Sequence, residues 1–348
     1  DGKRTVKVSD LVRGALEFPE NDEDFVLLKS DGIPTYHFAH AVDDHLMGTT
    51  HVIRGEEWLP SLPKHVQLFR YLGFRLPKYM HIAQIMHLDE NGNKKKLSKR
   101  DMGANMDDYT RMGYSPEAVC EYVMTLLNSN YEEWHMQNPD KNYRDFPFSI
   151  KKMSVSGCLF DFGKLNDVSR NILSGMTAEQ VYDGLTGWAA EFDPEFAAEL
   201  TRDPEYTKSI LAIGRGGKKP RKDLAVWSDA KPYMGFFDRY FAVTDSIPDS
   251  FSREDVNAVL AGFLDSYDEG DDMNVWFEKI KRIAAALGYA ADMKEYKSDP
   301  QAFRGSVADV SMFIRVAVTG KMNSPDLYTV MHILGKERTE ARLRAMLI

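Results

Sequence analysis

Apolar residues recur every three or four positions through most of the second half of the chain. Ser115-Pro116 can open a helix that carries Val119, Tyr122, Val123, Leu126 and Leu127 on one side. Residues 143–170 are mixed and read as a short strand or extended connection. Beyond 170 nearly every segment keeps the helical period. Thr177 and Gln180 form a capping box ahead of Val181, Leu185 and Trp188, and Ser252 with Asp255 precedes Val256, Val259, Leu260, Phe263 and Leu264. Further stripes are Trp276, Ile280, Ile283 and Leu287 closed by Gly288; Val310, Phe313, Ile314 and Ala317 leading to Gly320; and Val330, Met331 and Leu334 leading to Gly335. These stripes read as core. They predict one helical bundle or two stacked bundles, with a seam near 240–252 around Pro248.

The first third is patterned differently. Residues 25–30 (FVLLKS) read as a short strand ending in the turn Asp31-Gly32. Pro34 can start a helix bearing Tyr36, His40 and Asp44 at fourfold spacing and stopping at Gly48. Residues 51–54 (HVIR) form a second strand, broken by Gly55. A helix follows from about Pro63, with Val66, Phe69 and Leu72 on one face and Gly73 as its stop. Helix, strand, helix is part of a parallel α/β layer. A complete layer needs several more strands, and residues 1–24 show no pattern for them, so the chain reads as beginning inside a domain. The fold class expected is therefore mainly α: a partial Rossmann-like α/β segment, then a mixed connecting domain, then an all-α bundle.

At 348 residues the chain is too long for one core and should hold two to four domains. No apolar run long enough for a membrane span occurs, and the start, DGKRTVKVSD, is unlike a signal peptide, so a cytoplasmic protein without membrane attachment is expected. Two cysteines, Cys120 and Cys158, imply neither a disulfide framework nor a zinc site between them. The net charge of −9 argues mildly against a dedicated nucleic-acid protein. Distribution matters more than the sum, however. Cations cluster at 94–100 and again at Arg215, Lys218, Lys219, Arg221 and Lys222, in the glycine-rich stretch GRGGKKPRK. That second cluster reads equally well as a solvated loop or as an RNA contact.

Two stretches carry candidate chemistry. Residues 94–100, KKKLSKR, hold five cations in seven positions, preceded by Asn91, Gly92 and Asn93. A mobile basic loop of this kind can close over polyphosphate, or can be no more than a solvated lysine cluster or a generic nucleic-acid patch. Residues 34–58, PTYHFAHAVDDHLMGTTHVIRGEEW, are dense in polar and aromatic groups for a segment patterned to pack. One reading is a metal site built on His37, His40 and Asp44, with Asp43 or His45 adding a ligand. The other, which the pattern favours, is a small-molecule pocket. Arg54 would end a strand at the carboxyl edge of a parallel sheet and hold a carboxylate bidentately, with Tyr36 as hydroxyl donor and Trp58 as aromatic wall.

The order DGIPTYHFAHAVDDHLMGTTHVIRGEEW, followed about 40 residues later by KLSKR, resembles bacterial glutamyl-tRNA synthetase, a class I aminoacyl-tRNA synthetase. KLSKR is similar to the second signature of that class, the "KMSKS" loop that closes on ATP. SVSGCLFDFGKLN resembles the family's junction into its helical half, and KPRKDLAVWSD and VTGK…SPDLY…LGKERTEARL resemble its anticodon-binding region. The chain also departs from the pattern. No tetrapeptide of the family's first, HIGH-type signature occurs in residues 1–348, His40 stands where the family often has asparagine, and Leu127-Asn128-Ser129 replaces the usual Leu-Gly-Trp. The resemblance spans nearly all of this chain and about the C-terminal two-thirds of a family member.

The resemblance implies a division into 1–33 (end of an acceptor-binding insertion), 34–75 (second part of the catalytic domain), 76–170 (KMSKS-loop and stem-contact domain), and 171–250 and 251–348 (helical anticodon-binding domains). It implies a ligase that converts glutamate and ATP to glutamyl-adenylate and then charges tRNA; nothing in the sequence suggests an obligate oligomer, so a cytoplasmic monomer is expected. Its partners would be glutamate and the glutamate tRNA, with the glutamine tRNA as a further candidate. Lys99 is assigned to the phosphates and Lys96 to shaping the loop, and Leu97, Ser98 and Arg100 join them at ATP. Tyr36, Arg54, His40 and Trp58 would hold glutamate, and Arg215, Lys218, Lys219, Arg221 and Lys222 would contact tRNA. Magnesium is expected with ATP, and no residue here can be named as its ligand. Without the HIGH-type motif the chain alone is expected to bind tRNA but not charge it. The alternative is a free-standing RNA-binding module on a remnant catalytic scaffold.

Overall fold

The computed structural model describes residues 4–98, 103–155, 157–237 and 241–347. The chain forms two compact units. Unit 1 is Asp1–Tyr109 with Pro116–Val168, and unit 2 is Thr110–Ser115 with Ser169–Ile348.

Unit 1 is built on a four-stranded sheet made of β1 (Thr5–Asp10), β2 (Gly14–Pro19), β3 (His51–Gly55) and β4 (Lys78–Ile82), in the order β2-β1-β4-β3. β1 and β2 are an antiparallel hairpin, while β4 runs parallel to both β1 and β3. Between β2 and β3 lies helix α1 (Tyr36–Leu46), and between β3 and β4 lies α2 (Leu62–Tyr71). Val6, Val8, Leu62, Val66 and Tyr79 are buried together where α2 packs on the sheet, and Ala41, Leu68 and Phe69 join α1 to α2.

The hairpin β1–β2 corrects the expectation that residues 1–24 hold no strand. In TVKVSD the positions alternate strictly exposed and buried, with Val6, Val8 and Asp10 inward. The third inward residue is an aspartate, which hid the period of two. Asp10 accepts the backbone N–H groups of Val12 and Arg13 through Oδ1, at 2.9 Å each, which folds the hairpin turn. Conversely, residues 25–30 form no strand beyond a single bridge between Leu28 and Pro34. Val26 and Leu28 are exposed, and Lys29 and Gly32 close a tight turn instead.

A second, three-stranded sheet combines β5 (Ile85–Leu88), β6 (Lys94–Lys96) and β7 (Cys158–Leu159), in the order β6-β5-β7. The first three lysines of KKKLSKR are therefore the return strand of a hairpin rather than loop. Asp89 makes the turn, its Oδ1 accepting the N–H groups of Asn91 and Asn93 at 2.9 and 2.8 Å, with Gly92 at φ +78°. An edge strand of lysines tolerates full exposure. The helices α3 (Met106–Met112), α4 (Pro116–Leu127) and α5 (Tyr131–Gln137) follow β6 in sequence.

Unit 2 is helical. α6 (Phe162–Gly175) leads into it, followed by α7 (Ala178–Phe192), α8 (Pro194–Arg202), α9 (Pro204–Leu211) and α10 (Ala230–Met234). Then come α11 (Arg253–Ser266), α12 (Met273–Ala286), α13 (Met293–Ser298), α14 (Val307–Thr319), α15 (Leu327–Leu334) and α16 (Lys336–Met346). The expected capping box is present: Thr177 accepts from the Gln180 N–H at 3.2 Å, and Gln180 accepts in return from the Thr177 N–H at 2.9 Å. The apolar stripes are core, as read from their spacing. One cluster gathers Leu173, Val181, Leu185, Phe196, Leu200 and Trp227. A larger one gathers Val259, Phe263, Ile280, Phe313, Ile314, Val330 and Leu343, together with Ile210 and Phe237. A segment from earlier in sequence is fastened here: the Trp227 N–H donates to the Gly113 carbonyl at 2.8 Å, and the Gly113 φ of +92° is open to glycine alone.

Phe313 is fully buried in the larger cluster. Phe313→Ala should cost about 3–5 kcal/mol, whereas truncation of the exposed Met322 should change stability by less than about 0.5 kcal/mol. Urea unfolding of the two variants checks this.

Candidate carboxylate-binding site

The fourfold spacing of Tyr36, His40 and Asp44 places them on one face of α1. His40 Nδ1 lies 2.7 Å from Asp44 Oδ2, and its Nε2 lies 3.2 Å from the Tyr79 hydroxyl. In the neutral ring with its proton on Nδ1, the carboxylate takes the Nδ1–H and Nε2 accepts from the phenol. Burial holds the His40 pKa below its ordinary value against the pull of Asp44, with the Arg54 charge adding to the effect.

β3 alternates so that Ile53 faces out and Arg54 faces in, 61% and 9% exposed respectively. The arginine thus occupies the inward position of a strand, where an apolar side chain is the rule. Its guanidinium carbon lies 5.0 Å from the centre of the Tyr79 ring and 5.7 Å from that of Trp58. Trp58 itself sits in the 3-10 turn Glu56–Ser61 and stacks on Tyr36, with centroids 4.5 Å apart. The rings of Tyr36 and His40 are nearly parallel at 6.1 Å. The four residues named from sequence as glutamate contacts, Tyr36, His40, Arg54 and Trp58, therefore meet in one place.

Sequence reasoning missed the layer behind them. The Arg54 Nε–H donates to His81 Nε2 at 3.2 Å, and His81 Nδ1 lies 2.7 Å from Asp10 Oδ2. Asp10 and His81 are almost wholly buried. Asp10 stands at an inward position of the alternating β1, but β4 buries Tyr79, Met80 and His81 in succession, so no local period marks His81 or joins it to Asp10. The two terminal nitrogens of Arg54, Nη1 and Nη2, are buried without a hydrogen-bond partner. Such orphaned donors on a permanent cation cost several kcal/mol unless an anion meets them. An aromatic-walled arginine with two parallel N–H groups to offer matches a carboxylate.

The histidines do not assemble as a metal site. His37 Nδ1 lies 2.8 Å from His65 Nε2 rather than converging with His40 on Asp44. Among the described residues no three His, Cys, Asp or Glu groups could hold a metal ion. His65 is fully enclosed, and burial followed by the nearby Arg54 charge pushes its pKa down to about 2.

Of the lysine hairpin, Lys96 lies 3.5 Å from Glu57, which neighbours Trp58 in sequence, and Lys95 lies 2.9 Å from Asp89. Leu97 is half-buried, its N–H bonded to the Ile85 carbonyl at 3.0 Å, and Ser98 is exposed. Lys99 and Arg100 lie outside the described residues. In unit 2, the Arg215 Nε–H donates to the Leu211 carbonyl at 2.7 Å and its Nη1 to the Leu173 carbonyl, so this guanidinium caps helix ends. Arg221 is bidentate on Asp223 at 2.7 and 2.8 Å. Lys218, Lys219 and Lys222 are exposed.

Residues 1–161 match the family of class I tRNA synthetases (E and Q), catalytic domain, and residues 224–347 match an anticodon binding domain. The chain thus carries regions similar to a class I tRNA synthetase catalytic domain and to an anticodon-binding domain. It is 48% identical to a glutamate–tRNA ligase of Acetivibrio thermocellus over 99% of its own length and 63% of that protein's. For a glutamate–tRNA ligase of Sorangium cellulosum the identity is 47%, over 98% of this chain and 63% of the relative. A crystal structure of a glutamate tRNA ligase from Elizabethkingia meningosepticum, in complex with its amino acid, superposes with a TM-score of 0.73 at 25% identity, covering 99% of this chain and 66% of that one. The chain thus spans just under two-thirds of the length of the relatives it matches. The mainly helical fold with a partial α/β segment agrees with these neighbours. Among the described residues no helix is long and apolar enough to cross a membrane.

The pKa values of His37, His40, His65 and His81 all lie below 6.5 in the folded chain, each with burial as the largest cause. The unfolded chain takes up protons that the folded one refuses, so the stability they give is complete above about pH 6.5 and falls as the pH drops. For His65 alone the loss at pH 5 is about 2 kcal/mol. Urea unfolding at pH 7.5 and 5.0 should show that difference shrinking in His65→Gln relative to the unmutated chain, a comparison in which the carboxylates cancel.

Proposed function

We propose that the chain is the part of a glutamate–tRNA ligase that grips the amino acid's carboxylate, carries the ATP-closing hairpin and anchors the tRNA. The observation that supports this reading most is Arg54: a buried guanidinium with two unpartnered terminal nitrogens, walled by Trp58 and Tyr79. A remnant scaffold that only holds RNA has no use for such a group and would be more stable without it.

In the reaction implied by the family, the α-carboxylate oxygen of glutamate attacks the α-phosphorus of ATP. Glutamyl-adenylate forms and pyrophosphate leaves. The terminal ribose hydroxyl of the tRNA then takes the acyl group, releasing AMP. Arg54 pairs with one carboxylate of glutamate, Tyr36 and His40 supply polar groups at the same place, and Trp58 fixes the wall. The first step demands neutralisation of charge on the triphosphate rather than a strong acid or base. Lys96 and Lys99, with Leu97, Ser98 and Arg100, are the groups proposed to meet it. Lys96 would exchange its exposed pairing with Glu57 for the phosphates. Magnesium would arrive with the nucleotide and add to that neutralisation. The exposed Lys218, Lys219 and Lys222 are proposed to meet tRNA phosphates, and a cytoplasmic, monomeric protein fits this role.

The 348-residue chain carries no HIGH-type tetrapeptide, so by itself it should not activate glutamate. ATP–pyrophosphate exchange in the presence of glutamate and glutamate tRNA should stay at background, and turnover above it would overturn that part of the proposal. Filter binding should nevertheless detect the tRNA. The triple substitution K218A/K219A/K222A should weaken that binding and lower the slope of log K against log salt by about two to three. An unchanged slope would remove the loop from the interface.

A further inference from the structure

We infer that Asp10 and His81 are positioning residues for Arg54, holding the guanidinium by its Nε–H so that Nη1 and Nη2 stay available to the substrate carboxylate. The inference rests on the reading of Arg54 as the carboxylate holder.

The argument begins with donors and acceptors. A guanidinium has one N–H on Nε and two on each terminal nitrogen. A bidentate carboxylate can dock on the edge shared by Nη1 and Nη2 or on the edge shared by Nε and one Nη. Here the second edge is closed, because the Nε–H is given to His81 Nε2 at 3.2 Å. That acceptor exists only while His81 is neutral with its proton on Nδ1. Asp10 enforces this tautomer: its Oδ2 lies 2.7 Å from Nδ1, and it also accepts the His81 backbone N–H at 3.0 Å. Asp10 is fixed in turn by the hairpin turn that its other oxygen makes with Val12 and Arg13. Arg13 adds a further hold, its Nε–H donating to the His81 carbonyl at 3.1 Å and its Nη2 pairing with Glu56 at 2.5 Å. Burial and the Arg54 charge keep His81 neutral at pH 7, against Asp10.

The register of the sheet makes the arrangement. Arg54 and His81 are direct partners across β3 and β4, and Asp10 enters from β1 on the other side of β4. Three adjacent strands thus contribute one residue each. A carboxylate ligand can dock on the terminal edge alone, and the arginine cannot swing to offer the other.

Two side chains separate this role from mere packing. In His81→Gln the amide oxygen falls close to where Nε2 was and can still accept from Arg54. In His81→Asn the amide nitrogen falls close to Nδ1 and can still donate to Asp10, but no acceptor is left for Arg54. Calorimetric titration of the chain with L-glutamate should find His81→Gln within about threefold of the unmutated chain and His81→Asn weaker by about tenfold or more. Both should unfold at similar urea concentrations. Equal affinities for the two variants would overturn the inference. Nitrogen-15 NMR of the histidines should find the Nδ1–H tautomer of His81 at pH 7.5, and the opposite tautomer or a doubly protonated ring would overturn it independently. If the unmutated chain fails to take up L-glutamate, the carboxylate reading falls. The relay is then decided by the Arg54 Hε resonance, which should be slow to exchange in the unmutated chain and His81→Gln and fast in His81→Asn. Identical exchange in all three would overturn it.

Discussion

A desolvated arginine sets the terms for the whole of unit 1. Taking a guanidinium out of water is unfavourable by several kcal/mol, and aromatic faces return only part of that. The fold around Arg54 consists largely of the remaining compensation. Tyr79 and Trp58 supply π faces, His81 supplies an uncharged acceptor, and Asp10 places a negative charge one ring further away. Four histidines in the same unit are driven to their neutral forms, because burial and the nearby cation both oppose a second positive charge. The net result is a buried guanidinium whose neighbouring histidines stay uncharged. This is the electrostatic environment that a carboxylate ligand requires.

Much of this was legible from residue order, and the exceptions have physical causes. α1, β3 and α2 are bounded by proline and glycine stops that have local energetic meaning, so they could be read directly. Tyr36, His40, Arg54 and Trp58 could be grouped because a helix and a strand with known periods carry them. Asp10 and His81 could not. Their importance comes from a cross-strand register that joins residues about 70 positions apart, and no local pattern encodes pairing between strands so distant. The misread strand at 25–30 is the converse case: four apolar residues in a row satisfy a propensity rule, but no sheet edge is there to receive them. For the basic loop of unit 2, sequence shows five cations but not which have partners. Arg215 and Arg221 turn out to be engaged by carbonyls and by Asp223.

The helical half follows simpler rules. Its stripes repeat at the helical period, its caps are made by side chains three residues apart, and its two cores share helix α9 through Leu211 on one side and Ile210 on the other. Information about such a fold is mostly local, which is why it could be read with few errors. Unit 1 depends on long-range strand pairing and was read incompletely for the same reason.

The fastening of Gly113 to Trp227 has a consequence for biosynthesis. Thr110–Ser115 belongs to unit 2, yet it lies inside the span of sequence that builds unit 1. A growing chain therefore presents this strap more than 100 residues before Trp227 is made to receive it. Unit 2 must close a long loop across an already synthesised neighbour, an entropic demand that grows only slowly with loop length but is met late. Cutting the gene after residue 168 would therefore separate the helical half from a piece of itself, and a faithful excision of that half would have to carry the strap along.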